Sequence, residues 1–211
     1  GCGNSVLLCI LHFLGYKNLF GVDVIENSKR NFLFKITNFN TKNYFLIKNN
    51  LPFNDNFFDL VLSNTVIEHV FEVDSYFRET SRVLKNNKKA NFIFPHRLRP
   101  YDSHTRTIII HYFPKTIRKY LYDLFTDQGG NYYNNFLNLQ YPYFYRKIAN
   151  KYFSKFENTT KDRLISSDID NYDGNISIRK FYQLLIKIPI VGNFILNITF
   201  KFTQLSIILT K

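Results

Sequence analysis

Apolar residues fall along this chain in short dense runs, separated by longer stretches in which they recur every three to four positions. The runs Leu19–Asp23, Tyr44–Lys48, Asp59–Ser63 and Ala90–Phe94 are too short for helices and predict buried strands. Residues 4–14, 25–36 and 73–85 predict helices, and in the third Val73, Tyr76, Phe77, Thr80 and Leu84 share one face. Strands alternating with helices imply parallel strands joined by crossovers, hence an α/β, doubly wound, mostly parallel sheet over residues 1–96. After Pro95 the alternation stops. Residues 97–158 read as an inserted helical, aromatic-rich region, with helices at Pro114–Phe125 and Pro142–Phe156 each opened by a proline. In the second, Phe144, Ile148, Tyr152 and Phe156 recur at helical spacing, which favours packing over stacking on nucleic-acid bases. Residues 159–211 carry Arg163–Ser166, helical stretches at Ile178–Ile188 and Val191–Phe202, and a last strand at Leu205–Thr210.

Candidate chemistry gathers at the predicted strand ends. Gly1-Cys2-Gly3-Asn4-Ser5 leads into an apolar helix, so its backbone can turn tightly and present free N–H groups to a ligand. Twenty residues after Gly3, Asp23 closes a strand, where a carboxylate can accept hydrogen bonds from ribose hydroxyls. The two read together as a nucleoside pocket. The third glycine of a dinucleotide fingerprint is absent, with Val6 in its place, which tilts against NAD. Further on, Phe57-Phe58-Asp59-Leu60-Val61-Leu62-Ser63-Asn64 joins an apolar strand to a polar tip, and Glu68-His69 follows at a helix start.

Leu51-Pro52-Phe53, Phe58-Asp59, Glu68-His69-Val70 and Arg82-Val83-Leu84-Lys85 together resemble class I S-adenosylmethionine-dependent methyltransferases, of Rossmann-like fold. The resemblance implies S-adenosyl-L-methionine as cofactor, lined by Gly1, Gly3, Asp23, Asn49, Asn64 and His69. It also implies that the insertion shapes substrate choice, and that the last two strands form an antiparallel hairpin at one sheet edge, with Leu205–Thr210 as the second. The family places an apolar strand ending in an acid just before the glycine loop; the chain holds no methionine, so it is expected to continue upstream of Gly1. Two departures stand out. The acid often found before Leu-Pro-Phe is replaced by Lys48, Asn49 or Asn50, and the usual Pro-Gly-Gly turn is Asn86-Asn87-Lys88-Lys89, where asparagine tolerates the left-handed region that glycine favours.

Direct displacement at a sulfonium methyl needs the nucleophile held in line, and an oxygen nucleophile also needs a base. His104 and His111 are the candidate catalytic residues, since they follow the fourth strand and imidazole titrates near neutrality. Tyr101-Asp102-Ser103-His104-Thr105 with His111-Tyr112-Phe113-Pro114 resembles a stretch of methyltransferases from bacterial surface-polysaccharide clusters. That points to a sugar or lipid-linked intermediate of envelope glycan synthesis as acceptor. A silent binding module of the same fold and an RNA methyltransferase are the alternatives.

Composition adds bounds. With 211 residues and 45% hydrophobic, the chain can bury a sizeable core. Cys2 and Cys9 have neither zinc-type spacing nor a disulfide framework, so no metal is expected and a reducing cytoplasm fits. The net charge of +12 is carried by scattered cations, which makes nucleic acid an unfavoured partner; a basic face toward phosphates or anionic lipid is the competing reading. The apolar but interrupted stretch 181–202 suggests packing on the sheet or peripheral contact with the inner membrane face.

Overall fold

The structure is a computed structural model that describes residues 1–48, 50–165, 184–185, 187–188 and 191–211. The chain divides into two units, Gly1–Phe57 and Phe58–Lys211, so the division falls inside the 1–96 span expected to be one core.

In the first unit, helix α1 (Val6–Phe13) leads to strand β1 (Gly21–Asp23), helix α2 (Ser28–Thr37) and strand β2 (Tyr44–Leu46). Helix α2 starts where the Asn27 side chain accepts the backbone N–H groups of Lys29 at 2.9 Å and Arg30 at 3.4 Å, and it ends where Asn38 takes a φ of 52°. Asparagine suits both ends, because its side chain satisfies orphan N–H groups and its backbone tolerates the left-handed region. Strands β1 and β2 pair in parallel with Asp23 opposite Leu46, so α2 is the expected crossover. Leu8, Cys9, Phe34 and Phe39 form the small core of this unit.

The second unit is built on strand β3 (Phe58–Asn64), helix α3 (Val73–Val83) and strand β4 (Leu84–Phe94). A hairpin of β5 (Tyr101–Asp102) and β6 (Thr107–Ile108) follows, then helices α4 (Lys115–Phe125), α5 (Gly129–Phe136) and α6 (Pro142–Ala149), strand β7 (Lys155–Asn158) and helix α7 (Thr160–Ile165). A helix at Val191–Thr199 and strand β8 (Leu205–Thr210) complete it. The sheet runs β3-β4-β8-β7; β3 and β4 are parallel, and β8 is antiparallel to both neighbours. Val73, Phe77, Thr80 and Ser81 are the buried stripe of α3, and Phe77 packs edge-on to Phe92 at 5.4 Å and Phe153 at 6.2 Å. With Leu84, Ala90, Phe94, Tyr145, Leu205, Ile207 and Leu209 these rings make one core across the sheet.

Several sequence expectations shift. The last two strands are β7 and β8 and they are antiparallel, but β8 lies inside the sheet and β7 forms its edge. The helix expected over Pro142–Phe156 stops at Ala149, because the chain turns at Asn150 and Lys151 to bring Phe156 into β7. Tyr152 is held instead by its hydroxyl on Asp74, beside the Lys151 ammonium on the same carboxylate at 2.6 Å. Arg163 belongs to α7, and Ser166 lies outside the described residues, as does most of the helix expected at Ile178–Ile188. Strand β4 starts six residues earlier than expected, at Leu84 rather than Ala90, with Asn87 at φ 59° in the irregular part of its pairing with β3.

Candidate functional site

In the first unit, the glycine loop is tied to the acid that follows it. The backbone N–H groups of Gly1 and Cys2 donate to the Val22 carbonyl at 2.9 and 3.0 Å, laying the loop along β1. Gly3, at φ 51°, then points its N–H at Asp23 Oδ2, 2.5 Å away, while Asp23 Oδ1 accepts Val24 N–H at 2.7 Å and Ile25 N–H at 3.3 Å. Three backbone donors hold a carboxylate with about four acceptor positions, which leaves room for one more donor such as a ribose hydroxyl. Open space stands where a Gly3 side chain would be, and among the described residues the buried Ser5 hydroxyl has no partner. An open cradle, a pinned carboxylate and an orphan hydroxyl fit the nucleoside part of S-adenosylmethionine. Gly1, Gly3 and Asp23 are thus brought together; Asn49 lies outside the described residues.

In the second unit, Asn64 ends β3 with an exposed side chain, and Thr65 beyond it adopts φ 52° with its N–H on the Ile93 carbonyl at 2.7 Å. His69 and His104 come together: their rings meet edge to face at 4.8 Å, on either side of Glu68. Glu68 is fully buried, with Oε1 3.8 Å from His104 Nε2 and 4.0 Å from His69 Nε2. Among the described residues, neither carboxylate oxygen meets a donor in bonding geometry. Burial lifts the Glu68 carboxyl to about 7, opposed only weakly by its own backbone N–H and by His104.

His104 sits in the tip of the β5–β6 hairpin, and Asp102 organises that tip. Asp102 Oδ1 accepts the His104 backbone N–H at 3.0 Å and lies 3.1 Å from His104 Nδ1, while Oδ2 accepts the Thr105 hydroxyl at 3.0 Å. Burial raises the Asp102 carboxyl, but the bonds from His104 and Thr105 outweigh it and hold the group below its ordinary value. The same bond to Asp102 raises the His104 pKa against the opposing effect of burial. His69 is placed by its Nδ1, 3.1 Å from the Phe136 carbonyl, and burial lowers its pKa.

His111 stands apart. It is buried in the turn Ile110–Tyr112, neither ring nitrogen has a partner in bonding geometry, and burial lowers its pKa. Sequence reasoning named His69 and His104 separately and left out Glu68 and Asp102 as site residues. The one available signal was the Asp-x-His spacing, which lets an aspartate cap its own hairpin tip. A cleft of about 740 Å³ lined by His96, Tyr141, Tyr143, Lys161 and Lys201 contains none of the cluster.

Residues 1–91 match the methyltransferase domain family model. No curated protein matches the chain. Among solved structures, the chain resembles an S-adenosylmethionine-dependent methyltransferase from Mesorhizobium loti, with 16% identity and a TM-score of 0.59, over 100% of this chain and 88% of that one. It also resembles phosphoethanolamine N-methyltransferase 2 of Haemonchus contortus, crystallised with phosphomonomethylethanolamine and S-adenosylhomocysteine (17% identity, TM-score 0.55, 100% of this chain), and YcgJ of Bacillus subtilis (15% identity, TM-score 0.51, 75% of this chain). The chain spans 48% and 61% of the length of those last two. At such identities the likeness concerns the fold, which is that of S-adenosylmethionine-dependent methyltransferases, and the methyltransferase-domain match is carried by residues 1–91.

Proposed function

We propose that the protein transfers a methyl group from S-adenosylmethionine to a hydroxyl of a small acceptor, a sugar or lipid-linked intermediate of envelope glycan synthesis. The observation that carries methyl transfer is the Gly3–Asp23 contact, in which the loop and the acid that would grip a nucleoside are set against each other. When bound, the cofactor supplies a methyl group already activated on a sulfonium, so that a neutral thioether leaves. Asp23 would hold the ribose, and the loop backbone at Gly1 and Gly3 would pass close to it. The exposure of Asn64 at a strand's carboxyl end, the side on which ligands bind in open α/β sheets, supports a role for it in lining the cofactor. A hydroxyl acceptor must also lose its proton. The cluster of Glu68, His69, His104 and Asp102 is suited to take it or to make it more acidic, which supports an oxygen acceptor.

A lipid-linked acceptor draws support from the C-terminal stretch. Leu184, Ile188, Phe194, Ile198 and Phe202 are exposed, and the last three repeat at helical spacing. Among the described residues, no helix is long and apolar enough to cross a membrane. Such a face suits contact with a bilayer surface.

The test is transfer of labelled methyl from S-adenosylmethionine into nucleotide-sugars, glycolipid extracts and RNA. Label in either of the first two pools is expected. Label confined to RNA overturns the acceptor reading, and no label in any pool from folded protein favours a silent binding module.

A further inference from the structure

Glu68, His69 and His104 face one another, and among the described residues no donor meets the Glu68 carboxylate in bonding geometry. His69 Nδ1 lies against the Phe136 carbonyl and His104 Nδ1 against Asp102, so in its neutral form each ring carries its proton on that side and leaves Nε2 as a potential ligand on the Glu68 side. The carboxylate between them is fully buried. At 3.8 and 4.0 Å the imidazole nitrogens are too far from Glu68 Oε1 for a shared proton to make a hydrogen bond.

We propose that Glu68, His69 and His104 form a binding site for one divalent transition cation. One ligand atom from each lies within 4.8 Å of the others. A point equidistant from atoms so spaced is roughly 2.5 Å from each, a few tenths of an ångström beyond ordinary bonds of about 2.0–2.2 Å from metal to nitrogen or carboxylate oxygen. Small side-chain movements close that gap. The outer partners are those such sites use: a carboxylate behind one imidazole and a backbone carbonyl behind the other fix the ring orientations and raise ligand basicity. Two imidazoles and one carboxylate favour zinc, iron, manganese or cobalt over magnesium or calcium, and three protein ligands leave positions open for water or an acceptor oxygen. Use of an open position by the methyl acceptor rests on the function proposed above; binding of the cation does not.

The chain, stripped with chelator, is titrated with Zn²⁺ and Mn²⁺ by calorimetry and with Co²⁺ by absorption, without cofactor or acceptor. One cation per chain is expected, with binding at least tenfold weaker in Glu68→Gln and His69→Ala, whose folding is checked by circular dichroism. X-ray absorption on the zinc-loaded wild-type chain keeps the test independent of the variants and should show two imidazole ligands. The proposal is overturned by absence of saturable binding, by undiminished binding in folded Glu68→Gln, or by a thiolate-to-cobalt band that puts the ion on Cys2 or Cys9. Saturable binding at this cluster without methyl transfer to any acceptor would keep the site and sink the methyl-transfer reading.

Discussion

Glu68 Oε1, fully buried, lies 3.8 Å from His104 Nε2, and among the described residues no donor meets the carboxylate in bonding geometry. A buried carboxylate without donors weakens a fold, because it leaves water without recovering equivalent bonds. Replacing it with an apolar side chain of similar size should therefore stabilise the cation-free chain. Glu68→Met is expected to raise stability by about 1–3 kcal/mol in urea unfolding while abolishing cation binding. A less stable Glu68→Met would mean that the carboxylate is satisfied in solution by a partner of another kind.

Asp23 has a structural and a binding role that can be separated. Its carboxylate caps Gly3, Val24 and Ile25, so Asp23→Ala leaves three backbone N–H groups without their acceptor. Loss of about 1.5–3 kcal/mol in cofactor binding is expected, on the scale of one bond to a charged group, together with a lower melting temperature. Asp23→Asn keeps one acceptor oxygen and should recover part of the stability but less of the affinity. Unchanged calorimetric affinity in both variants would remove Asp23 from the cofactor site.

The strands and crossovers were legible because each strand is a short apolar run ended by a polar residue, as at Asp23 and Asn64, and the sequence pattern reports that locally even where, as in β3, Leu60 and Leu62 are exposed. The stretch Asn86-Asn87 was legible only in part: Asn87 adopts φ 59°, in the region that asparagine was expected to tolerate, but both residues lie within β4. The pairing of Glu68 with His104 was not legible, since it depends on where the β5–β6 hairpin folds back. Helix α5 was hidden by its opening Gly129-Gly130 and its asparagines, which are poor helix formers; packing on α4 overrides that preference. The early end of α6 was obscured because Tyr152 and Phe156 keep helical spacing while serving a turn and a strand.

That packing of α5 on α4 explains one glycine. A Cβ on Gly130 would stand 2.2 Å from the Lys119 carbonyl oxygen, and backbone cannot yield as a side chain tip does. Gly130→Ala should push the two helices apart and cost about 1–3 kcal/mol, despite alanine's higher helix propensity. Urea unfolding followed by circular dichroism measures it; a neutral or stabilising result would show that the helices are not in this contact.

His96 makes acid stability predictable. Its Nδ1 accepts the Leu98 N–H at 3.2 Å, and burial, with a smaller opposing effect from the Thr203 backbone, pushes its pKa down to about 4 from 6.5. As pH falls through 6.5 the unfolded chain takes up a proton that the folded chain refuses until about 4. The contribution to stability is therefore full above pH 6.5 and is lost progressively toward pH 4, by about 3 kcal/mol. Stability measured across that window should fall less steeply in His96→Gln than in wild type. Parallel curves would mean that His96 is protonated in the folded chain.

Asp102 provides the sharpest separation of chemistry from folding. Its Oδ1 meets both the backbone N–H and Nδ1 of His104, so it sets the hairpin tip and the imidazole tautomer together. Asp102→Asn can keep the backbone contact through its amide oxygen, but it no longer offers a charged acceptor to the ring and allows the imidazole to turn or change tautomer. Outer partners of this kind typically cost about 10–100-fold in metal affinity or activity when replaced. The expected result is that loss in kcat and in cation affinity, with the affinity for S-adenosylmethionine unchanged because Asp102 has no part in holding the nucleoside. His104→Ala removes the ligand and the candidate base at once and should fall further, by about 10²–10⁴-fold in turnover if a base is lost. Steady-state rates and cation titrations on both variants, each with a melting curve, decide the matter. Equal losses in melting temperature with turnover intact would make the Asp102–His104 pair a fastening of the hairpin and nothing more.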